Sequence, residues 1–289
     1  MHPVEVKGIL SAQNGINVYR GCTHGCIYCD SRSTCYRIEH PFEDVAVKVN
    51  APALLDDALR RRRSRCMIGT GSMCDPYLPL ERETELTRRC LEVIQRRGFG
   101  VSVLTKSDLV LRDLDLLTAI NRRTRAVVCM TLTTYDEALC RVLEPHVCTT
   151  RRRVETLRIL REHGIHTGVW LCPTLPFLND TEDNLRGLLE GCFSAGVEAI
   201  VSFGFGVTLR DGDRQYFYRQ LERHFPGMKE RYIRAFGTSY HCPSPREQAL
   251  SAILRTECQR RGVLWRTEEA MEWMRRFEDQ DAGEQLSMF

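Results

Sequence analysis

Six short β-branched runs, each followed by a longer stretch of helical periodicity, constrain this 289-residue chain more than any other feature. The runs are INVYR (16–20), RCMIGTGS (65–72), GVSVLTKS (100–107), AVVCMTLT (126–133), HTGVWLCP (166–173) and EAIVSFGFG (198–206). Amphipathic stretches such as ETELTRRCLEVIQRRG and RRRVETLRILREHG separate them, several ending in glycine after a basic last turn, as helices stop. This alternation predicts parallel strands joined by right-handed helical crossovers. Six such units predict a partial (β/α)6 barrel, with a doubly wound sheet as the alternative; both place a ligand site at the C-terminal strand ends. DVAVKVN (44–50) reads as an edge strand or hairpin, and beyond residue 206 the pattern turns helical without clear strands. The expected organisation is a barrel with its N-terminal loop over 1–206, a smaller helical region over 207–277 and a flexible polar tail over 278–289.

No apolar stretch reaches bilayer-spanning length and MHPVEVKG has no hydrophobic signal region, so a cytoplasmic protein with no membrane partner is expected. Fourteen cysteines in such a chain point to thiols and metal binding, not to disulfides. Most stand singly in apolar runs (Cys129, Cys172, Cys192), where they read as small buried hydrophobes. A net charge of +3 selects no partner, and the arginine runs at 60–63, near Arg122 and at 151–153 read first as solvated helix ends.

GCTHGCIYCD (21–30) is different, with Cys22, Cys26 and Cys29 inside eight positions directly after the first run. A structural zinc site closes with four ligands, usually from two separated pairs, and no second Cys-x-x-Cys follows; a mixed site using His24 or Cys35 stays open. A [4Fe–4S] cluster held by three thiolates leaves one iron free for an exogenous ligand, which accounts for the count of three.

CTHGCIYC, with aromatic Tyr28 before the third cysteine, resembles the Cys-x3-Cys-x2-Cys loop of the radical S-adenosylmethionine (radical SAM) superfamily. The resemblance implies a cluster at the strand ends of a partial barrel, SAM chelated at the open iron, and reductive cleavage to a 5′-deoxyadenosyl radical that abstracts a substrate hydrogen. NVYRGCTHGCIYCDSR, IGTGSMCDPYLPLE, LTKSDLVLRDLDLL, LEPHVCTTRRR, PTLPFLND and FGVTLRDGDRQYFY further resemble the group related to spore photoproduct lyase, which reverses a thymine-dimer lesion in DNA. Carried over by motif, Ser72 and Asp75 would meet the SAM amino group, Lys106 and Thr131 its carboxylate or ribose, and Asn179 the adenine, with Tyr28 beside the cofactors. Each of these also reads as an ordinary turn or cap residue. The lyase's hydrogen-donating cysteine aligns with Ser72, and Cys74 is either a displaced donor or a small buried residue; Cys148 and Cys242 are further candidates. An electron donor such as flavodoxin or ferredoxin is implied.

QLSMF, Gln285, Leu286, Ser287, Met288 and Phe289, closes the chain and resembles the peptide by which bacterial replication and repair proteins dock on the DNA sliding clamp. The other reading is an unremarkable apolar terminus. Tyr216, Phe217, Tyr218 and Tyr240 read either as core or as stacking partners for an extruded base. Three functions are therefore weighed: a radical SAM lyase-like enzyme on DNA, a radical SAM enzyme on a peptide, RNA or metabolite, and a metal-binding adaptor of the clamp without catalysis.

Overall fold

A computed structural model describes residues 1–280. The chain opens with β1 (His2–Val4), β2 (Gly15–Ile16), β3 (Tyr19–Arg20), β4 (Ala46–Lys48) and α1 (Ala51–Arg60). Strand–helix units follow: β5 (Met67–Thr70), α2 (Glu81–Thr84), α3 (Leu86–Arg97), β6 (Gly100–Thr105), α4 (Leu114–Arg123) and β7 (Ala126–Thr131). Next come α5 (Glu137–Leu143), α6 (Thr150–Glu162), β8 (His166–Trp170), α7 (Glu182–Ser194) and β9 (Ala199–Val201). The chain then runs through β10 (Gly206–Thr208), α8 (Asp213–His224), α9 (Met228–Phe236), β11 (His241–Pro243), α10 (Glu247–Arg261) and α11 (Thr267–Arg275).

Six strands form one parallel sheet in the order β2-β5-β6-β7-β8-β9. Strands that neighbour one another in chain order, with no reversal at a switch point, rule out the doubly wound alternative. The edges β2 and β9 do not pair, so the barrel is partial. Side chains alternate between the two faces, as the strand period requires. Val101 and Val103 of β6 and Ala126 and Val128 of β7 pack outward with Leu55, Leu91 and Ile94 of the covering helices. Val127 and Cys129 of β7 and Ala199 and Val201 of β9 face inward, where Ala270 and Met274 of α11 meet them. A methyl group at Gly168 would stand 2.9 Å from the Cys129 sulfur and 3.2 Å from the Trp273 ring; one at Gly100 would stand 2.3 Å from the Met67 sulfur. Glycine at these inner positions admits the last helix, which fills the lower half of the barrel and leaves the upper half open.

Three expectations need correction. The run 16–20 is two strands: β2 joins the barrel, whereas β3 pairs antiparallel with β4 in a separate three-stranded sheet, β1-β4-β3. The run 198–206 also splits, because Gly204 at φ +95° turns the chain, and β10 pairs antiparallel with β11. The region after 206 thus contains strand pairing contributed by residues 240 and beyond, which local pattern alone did not mark. Gln285, Leu286, Ser287, Met288 and Phe289 lie outside the described residues. Among the described residues no helix is long and apolar enough to cross a membrane.

Candidate active site

The loop after β3 is held in place by backbone that only glycine tolerates. Gly21 has φ +92°, and a methyl group there would stand 2.4 Å from the Phe42 carbonyl oxygen. Cys22, Cys26 and Cys29 follow, and all three line one cavity of about 580 Å³ at the C-terminal ends of the barrel strands. Burial pushes the Cys26 and Cys29 thiols up, whereas the neighbouring Cys74 sulfur brings Cys22 down. Three thiols converging on one cavity fit a cluster with a vacant corner; binding takes them as thiolates and releases their protons. The mixed zinc site is not assembled. Cys35 is exposed, accepts from Arg210 and does not line the cavity that holds the other three cysteines. His24 lies buried 3.5 Å from Asp75, and burial lowers its pKa, so the ring is neutral at pH 7.

Tyr28, Ser72, Asp75, Lys106 and Thr131 are brought to the same cavity. Gly71, at φ +97°, makes the turn that presents Ser72; a methyl group there would lie 1.9 Å from the Leu104 carbonyl oxygen. Among the described residues the Lys106 ammonium has no hydrogen-bond or ion-pair partner, and it lies 6.0 Å from the centre of the Tyr28 ring. Burial works against its charge, but Cys26, Glu144 and Asp75 hold its pKa above the ordinary value. Asp75 is largely committed to the scaffold. Its carboxylate accepts from the Thr105 hydroxyl at 2.6 Å and from the backbone N–H groups of Lys106 and Tyr77 at 2.7 and 2.9 Å. Asn179 is not brought to the cavity: it is buried, accepts from the Leu175 N–H at 2.6 Å and donates to the Thr133 carbonyl at 2.8 Å, bracing the turn before α7.

Of the thiols outside the triad, Cys74, Cys172 and Cys242 line the cavity. The Cys74 thiol donates to the Gly21 carbonyl at 2.8 Å, and Cys148 donates to the Lys106 carbonyl at 3.2 Å. Cys172 was expected in the core as a small hydrophobe; its place directly after β8 is what puts it on the wall. Of the four aromatics flagged in the sequence only Tyr240 reaches the cavity, where Phe203, unmarked by any motif, joins it. Phe217 is core, and Tyr216 packs against the Arg32 guanidinium at 3.7 Å.

Glu144 and Arg153 escaped sequence reasoning. The run 151–153 occupies the first turn of α6, where Arg151 is exposed and Arg152 half-buried as a solvated helix end requires, but the Arg153 side chain is 0 % exposed and paired with Glu144 at 2.6 Å. Its position is the available signal, since cations are disfavoured in a helix's first turn unless an anion compensates.

A model of the radical SAM superfamily matches residues 16–190, more than half the chain. An uncharacterized protein of Mycobacterium tuberculosis is 32 % identical over 241 residues, covering 80 % of this chain and 70 % of that protein. The radical SAM Nα-GlyT isomerase of Pseudomonas phage M6 is 24 % identical over 180 residues, 62 % of this chain and 36 % of that protein. The fold is that of spore photoproduct lyase: its complex with dinucleoside spore photoproduct superposes with TM-score 0.63 at 14 % identity, over 90 % of this chain and 78 % of that one. A form with bound AdoMet and dinucleoside spore photoproduct gives 0.61 at 14 % identity, over 86 % and 74 %. The chain belongs to the radical SAM superfamily, whose members use a [4Fe–4S] cluster and S-adenosylmethionine.

Proposed function

We propose that this protein is a radical SAM enzyme acting on a nucleobase in DNA, as a lyase-like repair or base-modifying enzyme. One observation supports the substrate class above the others. The mouth of the cavity carries two large aromatics held in solvent, Phe203 at 62 % and Tyr240 at 40 % exposure, with the Arg210 guanidinium 4.9 Å from the centre of the Tyr240 ring. Exposed rings beside a cation at a cavity entrance suit a flat, extruded base carrying a phosphate. The similar fold of spore photoproduct lyase complexed with dinucleoside spore photoproduct supports the same direction.

Cys22, Cys26 and Cys29 would hold the cluster. When bound, the cluster and SAM together supply a one-electron cleavage that yields a carbon radical able to take hydrogen from an unactivated position. The chain's own residues orient and shield. Lys106, without a partner of its own, neutralises the ligand carboxylate, while Ser72 and Thr131 offer hydroxyls from two strand ends. Asp75 acts through the backbone of Lys106, fixing the strand end that carries it. Trp170, 5.5 Å from the Phe203 ring, closes the apolar wall and excludes water from the reacting atoms. Cys74 is the wall thiol assigned to hydrogen return. A flavodoxin- or ferredoxin-type donor supplies the electron, and the Gln285–Phe289 peptide docks the enzyme on a sliding clamp, raising its concentration on DNA.

The test is anaerobic reconstitution with SAM and dithionite, measuring 5′-deoxyadenosine with and without ultraviolet-irradiated duplex DNA deuterated on thymine. The expected result is DNA-dependent turnover with deuterium appearing in the nucleoside, reduced at least tenfold in Phe203→Ala. Equal turnover without DNA and no deuterium transfer would overturn the substrate assignment. Separately, removal of the last five residues should abolish co-elution with the clamp.

A further inference from the structure

The cluster loop is braced from behind by the segment that follows α5. The Ile27 N–H donates to the Leu143 carbonyl at 3.0 Å, and the His146 N–H donates to the His24 carbonyl at 3.1 Å. Gly25 lies so close that a methyl group on it would stand 3.0 Å from both Pro145 and His146. Between these contacts the Tyr28 hydroxyl donates to Glu144, and Glu144 pairs with Arg153. Arg153 in turn donates to the Thr131 carbonyl at 3.0 Å and to the Cys148 carbonyl at 2.9 Å, tying the brace to the end of β7. All three side chains of the relay are buried.

Stability alone is a poor reason for this arrangement. Desolvating two full charges costs several kcal/mol each, and apolar replacements of equal volume are often neutral or stabilising. Arg153 additionally stands in the first turn of α6, where the helix dipole opposes a cation. What apolar packing cannot supply is a fixed field. Tyr28 stands between Cys26 and Cys29 in the chain and its hydroxyl reaches Glu144, which pairs with Arg153, so the carboxylate lies one side chain from the triad and the guanidinium directly behind it. The potential of an iron–sulfur centre follows the charge and hydrogen bonding around it.

We propose that Glu144 and Arg153 are positioning residues for the cluster: they fix Tyr28 and the loop bearing Cys26 and Cys29, and their opposed charges set the cluster's reduction potential. Reduction adds one electron to an already anionic centre, so a nearby anion lowers the potential and a nearby cation raises it. The proposal rests on the family's cofactor and is independent of the DNA substrate.

The experiment is an EPR-monitored redox titration of the reconstituted holoprotein, with iron content and far-UV circular dichroism measured alongside. Glu144→Gln should raise the midpoint potential, Arg153→Gln should lower it, and Arg153→Lys should restore it. The double variant, which leaves no buried charge unpaired, should return close to the unmodified value. Single shifts of the same sign, no shift in either, or a double variant farther from the starting value than both singles would overturn the electrostatic role. If a single variant fails to take up iron, Tyr28→Phe decides the positioning role, since it releases the loop with both charges kept. Broadened EPR signals or lowered iron content are expected, and unchanged spectra and loading would refute it.

Discussion

Burying an ionisable side chain obliges the fold to neutralise it or to leave it protonated, and this chain does both. Glu81 and Asp113 are 0 % exposed, and Arg112 bonds to each at 2.8 Å. Glu81 also accepts from the Thr87 N–H at 3.0 Å and Asp113 from Tyr77 at 3.1 Å, so both carboxylates are compensated. Arg112→Ala leaves Asp113 paired with Arg88 at 3.0 Å and Glu81 with the Thr87 N–H, and should therefore cost about 1–3 kcal/mol, the usual penalty for losing one charge-assisted hydrogen-bond partner. The measurement is a urea midpoint lowered at constant slope. Asp213 follows the other course. Its Oδ1 accepts from the N–H groups of Arg210 and Arg214 at 2.6 and 2.8 Å, while Oδ2 is buried without a partner among the described residues, and burial pushes its carboxyl up to about 6. An acid whose folded pKa exceeds its unfolded value of about 3.9 keeps a proton that the unfolded chain has already lost. Stability is thus fully favoured below pH 4 and falls as pH rises to 6, by up to about 3 kcal/mol. Asp213→Asn retains the accepting oxygen and should remove that fall, as read by thermal melts at pH 4, 5, 6 and 7.

Elements in this chain are stopped and started by local chemistry but seated by distant partners. Asp136, Thr149 and Thr181 cap α5, α6 and α7 by accepting from N–H groups of the first turns, and each was a cap-type residue in the sequence. Thr181→Ala should cost roughly 1 kcal/mol. α11 is a different matter. Its amphipathic pattern was visible, yet only the structure reveals that the surface it covers is the inside of the barrel, where Met274 meets Cys129 at 3.3 Å. Met274→Ala should cost about 2–5 kcal/mol through the cavity it leaves. Gly168→Val should cost about 1–3 kcal/mol by driving a branched side chain into the same space. Calorimetry on the metal-free protein separates these effects from cofactor binding.

At the scale of the whole molecule, the cofactor and the barrel stabilise one another. A ligand that binds only the folded chain raises its melting temperature by mass action, and a cluster whose three thiolates come from one loop binds only when that loop is formed. Anaerobic removal of iron should lower the melting temperature while leaving the far-UV circular dichroism nearly unchanged, because the strands and helices have their own core. Cys22→Ala should behave like the stripped protein even with iron present. The sequence by itself determined the alternation of strands and helices, the spacing of the three loop cysteines, and the strand ends at which Ser72, Lys106 and Thr131 stand, because each is written in local periodicity or spacing. Only the tertiary structure decided that β10 pairs with β11, that α11 fills the barrel, that Asn179 braces a turn, that Phe203 stands at the mouth, and that Arg153 is buried against Glu144. Those outcomes depend on which distant groups share a low-dielectric space, and residues 9 to more than 100 positions apart leave no periodic trace of such meetings.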